Sequence, residues 1–169
     1  EKLSRLEKED FEKVLSIFSY ISLTQQSIVF TEEYLSSTLI ACKRATGLVF
    51  NIQNLIFDLK TSISIIHQDG FELTFPHRSL QEYFAAYFIT TLPDENKKTA
   101  YLKIINSYLN SSNDTGENFF SLCLEMDRIS FVKIVAIPEL QKIINCLDSS
   151  FNNSNVLFSF LLNNGRRKA

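Results

Sequence analysis

The sharpest change of hydrophobic pattern in the chain lies in residues 71–89, where apolar positions first alternate and then recur at helical spacing. Phe71, Leu73 and Phe75 alternate with polar residues, which predicts a strand with three large apolar side chains on one face. Pro76 cannot donate to a β-ladder, so the strand should end there. We therefore predict a strand, a short turn and a helix.

The helix predicted after this strand has a capping signal at its start. Ser79 and Glu82 are spaced as in a capping box, in which each side chain satisfies a backbone N–H of the first turn. Ala85 and Ala86 are small enough to allow a close neighbouring element. Large apolar residues recur at offsets of three and four: Leu80, Tyr83, Phe84, Tyr87 and Phe88. We expect the four aromatic residues of this row to belong to the core rather than to a ligand site.

Two helices and one short strand are predicted at the start of the chain. Residues 3–23 have the pattern of an amphipathic helix with a break near Asp10. Residues 28–30 are apolar but long enough for only one edge strand. Thr31 is a good cap for a second helix, which should end before Gly47.

A third helix and a β-hairpin follow. Asn51 is expected to cap the helix, and Asp69 followed by Gly70 lies between two alternating runs, which is a strong hairpin signal because glycine tolerates positive φ. Three helices followed by a two-stranded ribbon is the order of a winged-helix module. The predicted fold is therefore mainly α, with a winged-helix domain of helices and a two-stranded β-hairpin followed by a helical domain.

Beyond residue 92 the pattern is helical without a repeat of fixed period. Asp94 is placed to cap the next helix, and Ser111 to Glu117 form the most loop-like segment. Pro138 favours the first turn of a new helix. Short helices are predicted at residues 119–126, 129–137, 139–147 and 156–162.

Composition narrows the class of protein. With 169 residues, 45% of them hydrophobic, the chain can bury a core, and we expect a soluble, folded protein with no membrane span and no signal peptide. A net charge of −2 argues against a nucleic-acid surface, which needs a concentrated excess of Lys and Arg. The one basic cluster, Arg166 to Lys168, is expected to be a solvated tail.

Sulfur-containing residues add two expectations. The three cysteines, Cys42, Cys123 and Cys146, are far apart and are expected to be buried thiols in a reducing compartment. The single methionine is Met126, so position 1 is not a natural start. Unless a leader was removed, we expect the sequence to be a piece of a longer protein.

Neither a catalytic nor a metal-binding arrangement stands out. The two histidines have no Cys, Asp or Glu at ligand spacing, and neither GxxxxGK[ST] nor GxGxxG occurs. The acidic residues that could form an acid/base pair, if a pocket brought two of them together, are Asp58, Asp69, Glu72 and Glu82. We expect no catalytic residue and no metal ligand.

His77 is the side chain in the most suggestive place. It lies between a strand end and a helix N-terminus, where backbone N–H groups attract anions. By position alone, a structural hydrogen-bond donor that holds the corner is the more usual role. His67, beside the hairpin turn, is expected to be solvated. Arg78 is either a surface guanidinium or a partner of Glu82 one helical turn on.

Residues 75–86, FPHRSLQEYFAA, resemble the F-x-H-x-S/T-F/L-Q-E-Y/F-F/L-A-A signature near the C-terminal end of the NACHT-type signalling NTPases. These belong to the STAND class of AAA+-related ATPases, which includes animal NOD-like receptors and bacterial anti-phage proteins. Residues 55–59 and 69–71 also fit, as the last helix and the wing of the family's winged-helix domain. Leu80, where Phe is commoner, and Pro76 before the histidine are departures from the pattern.

The resemblance implies a winged-helix domain over residues 1–92 and a helical domain, or a linker to a sensor, over residues 93–169. It implies that His77 contacts the β-phosphate of ADP and holds the winged-helix domain against the nucleotide-binding domain in the resting state. Gln81, Glu82, Phe84 and Ala85 would pack the helix beside the hairpin.

It further implies that this fragment binds no cofactor by itself. ADP or ATP with Mg would belong to the parent protein, whose Walker A lysine, Mg-binding acids and sensor residues would lie upstream. The partners implied are the upstream nucleotide-binding domain of the same chain and further copies of the protein on activation, with no nucleic acid and no membrane.

The function implied is regulatory: a cytoplasmic module, not itself an enzyme, that helps hold ADP and gates oligomerisation in defence signalling and innate immunity. The alternative is a winged-helix DNA-binding transcriptional regulator. That class needs basic residues on the third helix, whereas residues 51–60 offer one Lys and one Asp. A stand-alone helical protein-interaction scaffold is the third possibility.

Overall fold

The computed structural model describes residues 3–109 and 117–145, and this part of the chain is mainly helical with one small antiparallel sheet. The elements before the strand-to-helix junction are α1 Lys8–Thr24, β1 Val29–Phe30, α2 Glu32–Thr46, α3 Ile52–Phe57, β2 His67–Asp69 and β3 Glu72–Thr74. After it come α4 Arg78–Thr90, α5 Asp94–Leu109, α6 Glu117–Met126 and α7 Arg128–Phe131.

The first helix starts later than predicted and has no break at Asp10. It begins at Lys8, and residues 3–7 run outside it as a non-helical segment. This segment is held by a side chain far along the chain, since both carboxylate oxygens of Asp58 accept hydrogen bonds from the backbone N–H groups of Leu3 and Ser4. Of the two leucines in this segment, Leu6 is buried without being helical, whereas Leu3 is exposed.

The predicted ends of α2 and the start of α3 are confirmed. The Thr31 hydroxyl accepts the backbone N–H of Tyr34 at 3.1 Å. Gly47 ends α2 with a φ of 69°, the left-handed conformation that glycine adopts without strain. Asn51 caps α3 by accepting the N–H of Asn54 at 3.0 Å. After α3 the chain continues as one π-helical turn, Asp58–Ser62.

The sheet has three strands in the order β1-β3-β2, with both pairs antiparallel. The predicted hairpin is present, and β1 adds a third strand on the other edge of β3. Asp69 pairs with Glu72, so the two-residue loop is Gly70 and Phe71, with Gly70 at a φ of 59°.

One prediction about this hairpin is wrong. Phe71 is 96% exposed because it lies in the loop, outside the ladder, whereas Leu73 and Phe75 are buried as the alternation predicts. The alternating pattern marks the correct face of the strand but extends one position too far.

Helix α5 begins at Asp94 itself, and the carbonyl of Pro93 accepts the N–H groups of Asn96 and Lys97. Asp94 is thus the first helical residue and not the cap predicted for it. Lys97 is buried and pairs with Asp127 at 2.7 Å and with Asp94 at 3.5 Å, which ties α5 to the end of α6. The predicted helix at residues 119–126 is confirmed within α6.

The chain separates into two compact units, residues 1–128 and 129–169. The division predicted between residues 92 and 93 falls inside the first unit and stays a prediction. The predicted loop at residues 111–117, the helix at 156–162, Cys146 and the basic cluster at 166–168 lie wholly or largely outside the described residues.

In the second unit the structure describes one helix where two were predicted. It continues from α7 through a π-helical turn, Val132–Ala136, and on through residues 137–145. The N–H of Ile137 bonds to the carbonyl of Val132, five residues back, directly before Pro138. Because Pro138 has no N–H to donate, the wider turn before it lets the helix continue where a break was expected.

Candidate functional site at the strand-to-helix corner

The corner between β3 and α4 is anchored by one aromatic side chain. Phe75 is buried, and its ring centroid lies 6.2 Å from that of Phe18 in α1 and 6.0 Å from that of Phe30 in β1. Pro76 and His77 follow as exposed residues. The corner is therefore fixed on its inner side by the core and open on its outer side.

His77 is the residue immediately before the first turn of α4. Its backbone is extended, with φ −138° and ψ 133°, and its carbonyl accepts the N–H of Leu80 at 3.0 Å. The imidazole does not cap the helix, and no hydrogen bond joins it to another described residue. His77 thus presents an exposed ring beside the N-terminal end of a 13-residue helix, where anions are favoured.

The predicted capping box at Ser79 and Glu82 is wrong. Helix α4 begins at Arg78, so Ser79 is already inside the first turn, and no side-chain cap is made. Ser79 is exposed, whereas Glu82 is 5% exposed and pairs with Arg78 at 3.3 Å between Nε and Oε1. Ser79 and Glu82 have the spacing of a capping box, but Ser79 lies two residues beyond the cap position, which His77 occupies. Glu82 pairs with Arg78 instead of capping the helix.

Gln81 attaches α4 to the end of α1 and to the segment after it. Its Nε2 donates to the Ser22 hydroxyl at 2.8 Å and to the Ser27 carbonyl at 2.9 Å, in a buried position. Ala85 and Ala86 are fully buried on the same helix, and α1 and α4 form the most extensive helix contact in the described chain. Gln81 and Ala85 are packed inward as expected, but the main partner of α4 is α1 and not the hairpin.

The aromatic row of α4 belongs to the core only in part, through Phe84, which packs against it. Tyr83 is exposed, and Phe84, Tyr87 and Phe88 are half-buried, whereas the buried face consists of Gln81, Glu82, Ala85, Ala86 and Ile89. The small residues allow close helix packing, which turns the larger rings to the margin. Tyr87 and Phe88 line a half-open groove of about 550 Å³ together with Ile17 of α1 and Leu92.

Glu82 faces two elements that follow α4 in the chain. The Nδ2 of Asn118 in α6 donates to Glu82 Oε2. Tyr108 in α5 is buried nearby; burial raises the pKa of its hydroxyl, and the charge of Glu82 raises it further while Arg78 lowers it. No signal in the sequence predicts that Asn118 and Tyr108 lie beside Glu82, because these connections are entirely tertiary.

The four acidic residues considered for acid/base chemistry have separate roles. Asp58 is buried among the N–H groups of Leu3 and Ser4, and Glu82 pairs with Arg78 and Asn118. Asp69 and Glu72 are register partners on the exposed hairpin. Within residues 3–109 and 117–145, no group of three or more His, Cys, Asp or Glu side chains is arranged to hold a metal ion.

The remaining candidate side chains are His67 and the two described cysteines. His67 is exposed on β2, as predicted. Cys42 and Cys123 are buried, as predicted, and burial raises the pKa of each thiol to about 12, so both are poor nucleophiles.

Comparison of the chain with protein-family models, with curated proteins and with solved structures finds no match of any of the three kinds. None of the described helices has the length and apolar character that a bilayer crossing requires.

Proposed function

We propose that this chain is the regulatory winged-helix and helical part of a NACHT-like STAND NTPase that acts in the cytoplasm. In the resting state His77 contacts a phosphate of ADP bound by the upstream nucleotide-binding domain of the same protein. ATP, with Mg, replaces ADP on activation, the contact is lost, and the protein oligomerises to signal in defence.

The observation that carries this proposal is the exposed imidazole at the corner. His77 is exposed and makes no side-chain cap hydrogen bond, which gives no support to the structural role that position alone would favour, a donor that holds the corner. Phe75 and Gln81 hold the corner instead. The histidine is left available for a ligand or a neighbouring domain.

The order of elements also supports a winged-helix module. Helix α1, strand β1, helices α2 and α3, and the hairpin β2–β3 follow one another, with β3 in the centre of the sheet. A contact that exists with ADP and not with ATP gives the differential affinity that a ligand-driven switch needs.

The DNA-binding alternative has less support. The side chains exposed along α3 are Gln53 and Phe57, both uncharged, and Lys60 in the following turn lies 3.9 Å from Glu32. Attraction to phosphate backbones needs clustered, available Lys or Arg side chains.

Replacing His77 by alanine in the longer protein should weaken its hold on ADP. A hydrogen bond to a charged phosphate is worth about 1.5–3 kcal/mol, so release of ADP should accelerate on the order of 10- to 100-fold. Dissociation of a fluorescent ADP analogue from the purified protein measures this directly. Spontaneous oligomerisation in size-exclusion chromatography should rise with it.

His67→Ala is the matched control, because His67 is also an exposed histidine and lies on β2, the strand paired with β3. It should leave ADP release unchanged. Equal release rates for wild type and His77→Ala would refute the role proposed for His77. Salt-sensitive binding of duplex DNA by the chain would favour the alternative.

A further inference from the structure

Glu82 is a buried carboxylate in the helix that His77 precedes. It follows His77 by five residues and is 5% exposed, although carboxylates are rarely buried unless they are paired. The packing role implied for it does not need a charge, since an apolar residue would pack as well. The residues that pair with the Glu82 carboxylate therefore indicate the role of its charge.

One partner lies within α4. Arg78 immediately follows His77, and its Nε lies 3.3 Å from Glu82 Oε1 across one helical turn. Exposed pairs at this spacing contribute little, but here the carboxylate is out of water, where pairing matters more. The pair spans the first turn of α4, which directly follows His77.

The other partner of Glu82 lies in α6, the helix that follows α5. Asn118 donates from Nδ2 to Glu82 Oε2, a contact between residues 36 positions apart. Asn118 itself is exposed, so it is held there by this bond and not by burial of its side chain. Helices α4 and α6 also pack against each other, and their contact is second in extent only to that of α1 with α4.

Tyr108 of α5 contacts the start of α6 and lies beside Glu82. Its ring centroid lies 6.1 Å from that of Phe119 and 5.6 Å from that of Phe120, the two residues that follow Asn118. Its hydroxyl is buried beside Glu82 and Arg78. The start of α6 is therefore packed on α5 and hydrogen-bonded to α4, and a displacement of α6 must either carry Glu82 with it or leave a buried carboxylate with one partner fewer.

We propose that Asn118 is a positioning residue through which α6 controls the first turn of α4, and thereby the placement of His77. Withdrawal of α6 removes the bond from Glu82, loosens the Arg78–Glu82 pair and leaves the first turn of α4 less firmly held. The consequence for nucleotide rests on the proposed function, in which His77 contacts ADP: the helices after residue 93 then act on nucleotide retention and are more than a linker.

The coupling can be measured on the chain itself. Asn118→Ala removes the donor, and Asn118→Asp places a second carboxylate against Glu82. Loss of a hydrogen bond to a charged group changes an opening equilibrium on the order of tenfold, so amide hydrogen exchange at residues 78–83 should accelerate about tenfold in Asn118→Ala and more in Asn118→Asp. The ring resonances of His77 should shift in NMR spectra.

Asn106 provides the matched control, because it is an exposed asparagine on α5 and accepts the same two substitutions. Asn106→Ala and Asn106→Asp should leave exchange at residues 78–83 and the His77 resonances unchanged. A merely structural role for Asn118 would lower the midpoint of unfolding without a local effect at α4. Exchange within twofold of wild type in both Asn118 variants would overturn the coupling.

Release of ADP from the longer protein separates the two proposals. Asn118→Ala should accelerate release in the same direction as His77→Ala. If His77→Ala accelerates release and Asn118→Ala does not, the coupling is wrong and the proposed function stands. If neither does, the proposed function is wrong, and hydrogen exchange at residues 78–83 still decides for or against the control of α4 by α6.

Discussion

Replacing Phe18 by alanine is expected to lower the free energy of unfolding by about 4 kcal/mol, the range found for large aromatic residues removed from a core. Phe18 in α1 is 0% exposed, and its ring centroid lies 5.3 Å from that of Phe30 and 6.2 Å from that of Phe75. The substitution removes the ring on which the sheet and the corner before His77 both pack. Neighbouring rings cannot collapse into the space without moving β1 or β3.

Phe71→Ala is the control for this substitution, because Phe71 is 96% exposed in the hairpin loop. The same atoms are removed, yet the change in stability should stay within about 0.5 kcal/mol. Urea unfolding followed by far-UV circular dichroism compares the two variants. A loss for Phe71→Ala as large as that for Phe18→Ala would mean that the hairpin loop is buried in the protein in solution.

The parts of the fold that could be predicted from sequence are those decided by neighbours in the chain. Thr31, Asn51 and Gly47 mark helix ends because a side chain or a left-handed backbone satisfies groups three or four residues away. The hairpin around Gly70 is local in the same sense. At these four residues the structure follows the local signal.

The errors arise where a local signal competes with a distant partner. Ser79 and Glu82 have the spacing of a capping box, but Glu82 lies on the buried face of α4 and is bonded to Asn118, 36 residues away. The aromatic row of α4 looks like a core stripe, but Ala85 and Ala86 allow α1 to approach and take that face. Neither outcome is encoded within one helix, so periodicity and spacing could not reveal them.

Of the candidate site, the sequence identified His77 and its position between strand and helix, through the motif of residues 75–86. It did not identify what holds the corner. Phe75 contacts Phe18, 57 positions earlier in the chain, and Gln81 bonds to Ser22 across 59 positions. Residues that support a site over such separations become visible only when the helices are packed.

Asp58 stabilises a segment far from it in the chain, the residues before α1. Asp58→Asn is expected to lower the free energy of unfolding by about 3 kcal/mol at neutral pH. The carboxylate is 0% exposed and accepts the N–H of Leu3 at 2.8 Å, the N–H of Ser4 at 2.7 Å and the hydroxyl of Ser62 at 3.1 Å. An amide has one acceptor oxygen, so its NH₂ group would face at least one of these donors. The segment before α1 should then detach and expose core.

The pH dependence of the unfolding free energy tests whether the charge of the Asp58 carboxylate provides this stability. Burial alone would raise the pKa of Asp58, but the hydrogen bonds from Ser4, Leu3 and Ser62 outweigh burial and hold the pKa below its ordinary value. A carboxyl whose pKa is lower in the folded state contributes stability that is fully present above its unfolded pKa of about 3.9 and is lost as the pH falls through the folded value. The difference in unfolding free energy between wild type and Asp58→Asn should therefore be constant from neutral pH down to about pH 5 and should narrow below about pH 4.

Asp69→Asn isolates this effect from the general response of the protein to acid. Asp69 is exposed at the hairpin loop, where asparagine suits the turn equally well, so this variant should follow wild type at every pH. Urea unfolding of the three proteins between pH 3 and pH 7 gives the comparison. A gap between wild type and Asp58→Asn that is as wide at pH 3 as at pH 7 would show that shape, and not the carboxylate charge, holds the first residues against α3. A gap that closes in acid would instead establish that a buried charge, 54 positions away along the chain from Ser4, fixes the path by which the chain enters its first helix.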